Sequence, residues 1–265
     1  MNILRLFFHL FWVACCAITL IAQTRLLLDI PLTLSWLDGF VFGGTVFGYH
    51  FTQPNPRFRA IAWSMGFLGA ICFITPLIES PANAANQLVA LVPVIFWLAY
   101  YGFQRPGNAG LRGRLIAKPI TIALTWAWVT VLLPTPSSQW LDLIFLLWGR
   151  AAFIFALALA YDLSDSEYDR RHGLTTLVEK LGFGQSMLLI YGSLAFAGLC
   201  ILGNFFWQIY TLPKAVGLFT SLIFTAWGLR FLLQKPEWKA YQKHLIDGIM
   251  VLQFLLVLLF SFWKI

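Results

Sequence analysis

The chain has 265 residues, of which 60% are hydrophobic and only 11% charged, with a mean hydropathy of +0.77. A soluble domain carries roughly 25% charged residues and has no core able to absorb this much apolar surface, so the composition excludes a soluble class and implies lipid. The net charge of +7 comes without a basic helix or a basic–aromatic module, which sets nucleic-acid binding aside and fits Lys and Arg held in cytoplasmic loops.

A hydrocarbon core of ~30 Å calls for roughly 20 apolar residues per helix. Nine runs of the chain qualify. The first, 5–22, follows Met1, Asn2 and Arg5 and has the outline of a signal peptide. Because apolar segments continue to the end of the chain, it reads as a first transmembrane helix. The 23–35 stretch is ambiguous and could lie along the interface. Runs 36–53 and 58–78 flank Pro54-Asn55-Pro56, and 87–103 follows Pro81, Asn83 and Asn86. Run 116–134 follows Pro106-Gly107-Asn108, and 140–162 follows Pro134-Thr135-Pro136-Ser137-Ser138. The last three runs are 184–204, 211–233 and 245–263. Cys15, Cys16, Cys72 and Cys200 lie inside apolar runs with no CxxC and no His at ligand spacing, as reduced core residues would. The 12 Trp suit a protein with two lipid–water interfaces. The expectation is a single all-α membrane domain over 1–265 with about nine transmembrane helices.

Charge orients this arrangement. Fourteen of the 18 Lys and Arg fall at the N-terminus and in the even-numbered loops: Arg5, Arg57, Arg59, Arg105, Arg112, Arg114, Lys118, Arg170, Arg171, Lys180, Arg230, Lys235, Lys239 and Lys243. Only Arg25, Lys214 and Lys264 fall on the other side, and Arg150 sits inside a run. The split predicts a cytoplasmic N-terminus and an external C-terminus.

The most informative segment runs from Ala160 to Gly182, where the sixth run leaves the membrane on the cytoplasmic side. Asp162, Asp165 and Asp169 are spaced i, i+3, i+7, which puts them within roughly 60° on one helix face. Three carboxylates on one face repel, so a positive group belongs among them. Mg²⁺ takes oxygen ligands, commonly one or two carboxylates plus substrate phosphates. Arg170, Arg171 and Lys180 follow closely, a combination suited to a metal–diphosphate complex or, equally, to a solvated, salt-bridged loop.

The run Asp162, Asp165, Glu167, Asp169, Arg170, Arg171, Gly173, Thr176, Leu177 and Leu181-Gly182 resembles the second aspartate-rich motif of the UbiA superfamily of intramembrane prenyltransferases. The topology extends the resemblance over most of the chain, with Lys118 to Pro134 and Asp247-Gly248-Ile249-Met250 similar to further parts of the family. The resemblance implies a helical bundle around a central cavity. It also implies Mg²⁺ and an isoprenoid diphosphate at the cytoplasmic mouth, and transfer of the isoprenyl group to a lipophilic, often aromatic, acceptor in a bacterial inner membrane. Asp162, Asp165 and Asp169 are then the metal-binding and catalytic residues. Arg170, Arg171, Lys180, Lys118, Arg57, Tyr49 and His50 are the substrate-binding candidates.

The chain departs from the family at its first motif, N-D-x-x-D-x-x-x-D, expected at the end of the second helix. Here the sequence is Gly48-Tyr49-His50-Phe51-Thr52-Gln53-Pro54-Asn55-Pro56-Arg57, without a carboxylate. Neutral imidazole is a poorer Mg²⁺ partner than carboxylate, so His50 and Arg57 stand open between direct phosphate contact and an ordinary interfacial role. Arg150 lies about 18 Å along the helix from Asp162 and is expected to face the bundle interior, because a charge in lipid is costly. His244 and Asp247 mark the start of the last run, where a capping or packing role is expected. Two alternatives stay open: a family relative that binds an isoprenoid or a partner without transfer, and, ranked last, a small-molecule transporter, which would place its charges near the midplane.

Overall fold

The computed structural model describes residues 3–52, 58–79, 89–101, 116–136, 139–140, 142–171, 176–235, 238–239 and 241–263. At 3–7, 51–52, 79, 97, 99–101 and 167–171 it describes the backbone alone. Nine α-helices and no strand occur among the described residues. They are α1 (Ile3–Leu27), α2 (Trp36–Thr52), α3 (Arg59–Glu79), α4 (Val92–Tyr101), α5 (Ala117–Ala127), α6 (Ile144–Arg171), α7 (Leu177–Phe206), α8 (Leu212–Gln234) and α9 (Gln242–Ser261). A π-helical turn, Trp128–Leu132, continues α5.

Among the described residues, six helices are long and apolar enough to cross a membrane: α1, α3, α6, α7, α8 and α9. Helix α2 has 17 residues and α4 has 10, and α5 with its π turn is a shorter apolar segment. The 28 residues of α6 rise ~42 Å, more than a ~30 Å hydrocarbon core, so the helix is longer than a single crossing needs.

The first and last helices are neighbours, since α1 packs against both α2 and α9. The most extensive packing is between helices adjacent in sequence, α6 with α7, α2 with α3 and α8 with α9. The apolar window of α1 is 61% buried and that of α3 only 17%, so α1 lies inside the bundle and α3 presents Trp63, Phe67, Ile71, Ile74 and Ile78 outward. The α2–α3 pair is close because it is lined with glycine. A Cβ on Gly43 would run into the Met65 carbonyl oxygen and come within 2.9 Å of the Gly69 nitrogen. Gly39 and Gly43 form a G-x-x-x-G, the spacing that lets two helix backbones touch in lipid.

The 23–35 stretch is no longer ambiguous. Helix α1 continues to Leu27, and Thr24 and Arg25 near its end find partners. The Thr24 hydroxyl donates to the Thr130 carbonyl in the π turn at 2.6 Å. Arg25 donates to the Thr33 carbonyl at 2.9 Å and to Asp38 at 3.0 Å. Lys214, from the start of α8, donates to the Leu27 carbonyl at 3.2 Å and to Asp29 at 2.7 Å. Asp29 takes a positive φ of 56°, a conformation aspartate tolerates, and ends the helix. Helix α6 likewise outruns the apolar run that predicts it, ending at Arg171 rather than 162.

Candidate functional site at the start of the first helix

At the end of the bundle where α1, α5 and α9 begin and α2 and α6 end, polar side chains from five helices converge. Helix α6 supplies Tyr161, Asp162 and Asp165, with the two carboxylates a helical turn apart as the i, i+3 spacing dictates. Each meets a lysine from a different helix. Lys118, in the first turn of α5, forms an ion pair with Asp162, which is only 2% exposed. Lys243, in the first turn of α9, meets Asp165 at 2.7 Å and lies 5.1 Å over the Tyr161 ring. The cost of burying a carboxylate is met here by ammonium groups carried on the N-terminal turns of two other helices.

Beside these pairs lies a chain of proton-carrying groups. His9 of α1 has its Nε2 3.2 Å from the Tyr161 hydroxyl and its Nδ1 3.7 Å from Asp247 Oδ2. The second separation is too long for a hydrogen bond, but within ion-pair range once the imidazole is protonated. The rings of His244 and Tyr49 meet the His9 ring edge-on, at 5.1 and 6.5 Å. Backbone anchors hold α9 against α1: the Trp12 indole donates to the His244 carbonyl at 3.1 Å, and the Cys16 thiol to the Asp247 carbonyl at 3.4 Å.

Of the candidates read from the sequence, the structure brings together Asp162, Asp165, Lys118 and, across His9, Tyr49. His50 is buried near the end of α2. Lys180 is exposed at the start of α7. The side chains of Asp169, Arg170, Arg171 and Arg57 lie outside the described residues. His244 and Asp247 do not cap α9, whose N-cap is Tyr241; Asp247 lies further along the helix, buried against α1. Sequence reasoning missed His9, Tyr161 and Lys243. The signal for His9 was there, as a lone titratable side chain in an apolar run.

Among the described residues, no group of three or more His, Cys, Asp or Glu is arranged to hold a metal ion. Asp162 and Asp165 offer hard carboxylate oxygens, the donor type that Mg²⁺ takes, and each is engaged here by a lysine. Comparison with protein-family models, with curated proteins and with solved structures finds no match to this chain.

Proposed function

We propose that the chain is an intramembrane prenyltransferase-like enzyme. On this reading it crosses the membrane nine times around a central cavity, with the Asp162 end cytoplasmic. It transfers an isoprenyl group from an isoprenoid diphosphate to an aromatic or lipophilic acceptor. The observation that carries the reading is the pairing of Asp162 with Lys118 and of Asp165 with Lys243 at one end of an apolar bundle.

Two carboxylates and two ammonium groups sum to zero charge, so lysines that turn to a diphosphate leave both aspartates in need of another cation, a place a divalent metal ion would take. Mg²⁺, held by Asp162 and Asp165 (with Asp169 in the family pattern), would neutralise the departing diphosphate. Lys118 and Lys243 would orient the phosphate oxygens, with Arg57, Arg170, Arg171 and Lys180 as further basic contacts. The allylic C–O bond breaks and its electron pair leaves with the diphosphate. The acceptor's π pair forms the new C–C bond, and the ring proton passes to His9, whose imidazolium Asp247 stabilises. The surrounding apolar helices keep water from the cation.

The test uses the purified chain with a labelled isoprenyl diphosphate, following release of inorganic diphosphate with Mg²⁺ and with EDTA. Release that requires Mg²⁺ and falls in Asp162→Asn supports transfer. Binding unchanged by EDTA and by Asp162→Asn removes the mechanism. A second reading, a relative that binds the isoprenoid without transfer, is favoured by the carboxylate-free 48–57 segment and predicts binding without release.

A further inference from the structure

The opposite end of the bundle holds a second polar site, built around Arg150. Three basic residues are buried among the described residues: Arg25, Lys214 and Arg150. Arg25 meets Asp38 at 3.0 Å and Lys214 meets Asp29 at 2.7 Å. Arg150, 5% exposed, has no carboxylate partner among the described residues. Its Nη2 lies 3.5 Å from the Thr24 hydroxyl oxygen, and its Nη1 has no hydrogen-bond partner. The Thr24 proton is committed to the Thr130 carbonyl at 2.6 Å, so only the lone pairs of that oxygen face the guanidinium.

Arg150 lines a cavity of about 30 Å³, room for one or two water-sized occupants. Its polar lining is completed by Asn204, Tyr210 and Gln253, and no Asp or Glu contributes. Asn204 spends its amide N–H on the Cys200 carbonyl at 3.1 Å and has its Oδ1 unpartnered. Tyr210, on the link between α7 and α8, is buried, which pushes its phenol above the ordinary range while the Arg150 charge opposes that rise. The phenol therefore keeps its proton and remains a donor. A guanidinium in apolar surroundings needs acceptors for its N–H groups, and an anion would satisfy the free Nη1 and the charge together.

We propose that this cavity binds a monovalent, water-sized anion of the chloride class against Arg150. A companion water would donate one proton to the anion and the other to Asn204 Oδ1, filling the second place. The volume selects against sulfate, phosphate and larger carboxylates. Arg150 lies only ~9 Å of helical rise from the start of α6, on the side away from Asp162, so the site is separate from the candidate catalytic end. An occupant there would tie α6 to α1, α7 and the link to α8 through Thr24, Asn204 and Tyr210.

The test uses the full chain in uncharged detergent at fixed ionic strength, with sodium gluconate replaced stepwise by sodium chloride, bromide or sulfate. The expected result is a saturable rise in Tm with chloride and bromide, on the order of 3 °C, and none with sulfate. Arg150→Gln should lose the halide response, and Tyr210→Phe should raise the half-saturating chloride concentration several-fold. Should Arg150→Gln not fold, crystals of the unaltered chain grown in bromide decide the matter: an anomalous peak within hydrogen-bonding reach of Nη1 supports the site. No halide response in the unaltered chain overturns the proposal. So does an equal response in Arg150→Gln, or density at Nη1 without bromide signal, which would be water.

Discussion

Lys118 and Asp162 stand 44 positions apart in sequence and meet as an ion pair in which the carboxylate is almost wholly buried. Removing the lysine takes an ammonium partner from a buried carboxylate, which costs more than the pair itself contributes. Lys118→Met is expected to lower stability by about 2–4 kcal/mol. Adding Asp162→Asn to it should restore part of the loss, because the buried negative charge is gone. Thermal unfolding of the two single variants and the double variant measures this; a double variant no better than Lys118→Met would mean that the pair is not the source of the cost.

The same carboxylate carries the functional proposal. Asp162→Asn is expected to reduce Mg²⁺-dependent binding of an isoprenyl diphosphate strongly, and His50→Ala to reduce it less, since an imidazole is the poorer partner for that ion. Equilibrium binding with a labelled isoprenyl diphosphate gives the comparison, and a larger effect at His50 would move the site to α2.

Gly182 takes φ 72° and ψ 171° inside α7, a backbone region that is essentially glycine's alone. No atom lies within 4 Å of a Cβ built there, so the cost of a side chain is conformational rather than steric. Gly182→Ala should destabilise by about 1–3 kcal/mol. Gly184→Ala, also open but without a positive φ, is the control and should change little. Equal Tm values for the two variants would show that the bend at Gly182 is not required.

The α2–α3 contact depends on the absence of a side chain at position 43, where a Cβ would overlap the facing backbone. Gly43→Ala should cost about 1–3 kcal/mol, because neither backbone can yield as a side-chain tip does. Gly44→Ala, which meets nothing within 4 Å, should be tolerated. Tm measurements on the pair test the interface, and loss at position 44 alone would contradict it.

The charge split predicts a topology. Reporter fusions at Asn83 and Ser137 should behave as external, and one at Lys180 as cytoplasmic. Cytoplasmic behaviour at Asn83 would break the alternation on which the nine-span reading rests.

The sequence alone determined the class of the protein. Apolar length, turn residues and charge placement are local properties, and they located helical runs whose ends fall up to nine residues from those observed, six of them in helices long and apolar enough to span a membrane. It also singled out Asp162 and Asp165, with Asp169, through helical spacing, and Lys118 through the family resemblance and its place among the basic residues of the same membrane side. Only the tertiary structure decided which helix faces which. Nothing local to Ile3–Leu27 says that His9 meets Asp247 and Tyr161, that Thr24 meets the π turn, or that, among the described residues, Arg25 and not Arg150 has a carboxylate. Those partners lie up to 238 positions away, and in lipid, where apolar faces do not distinguish one neighbour from another, small residues and polar contacts such as these choose the packing.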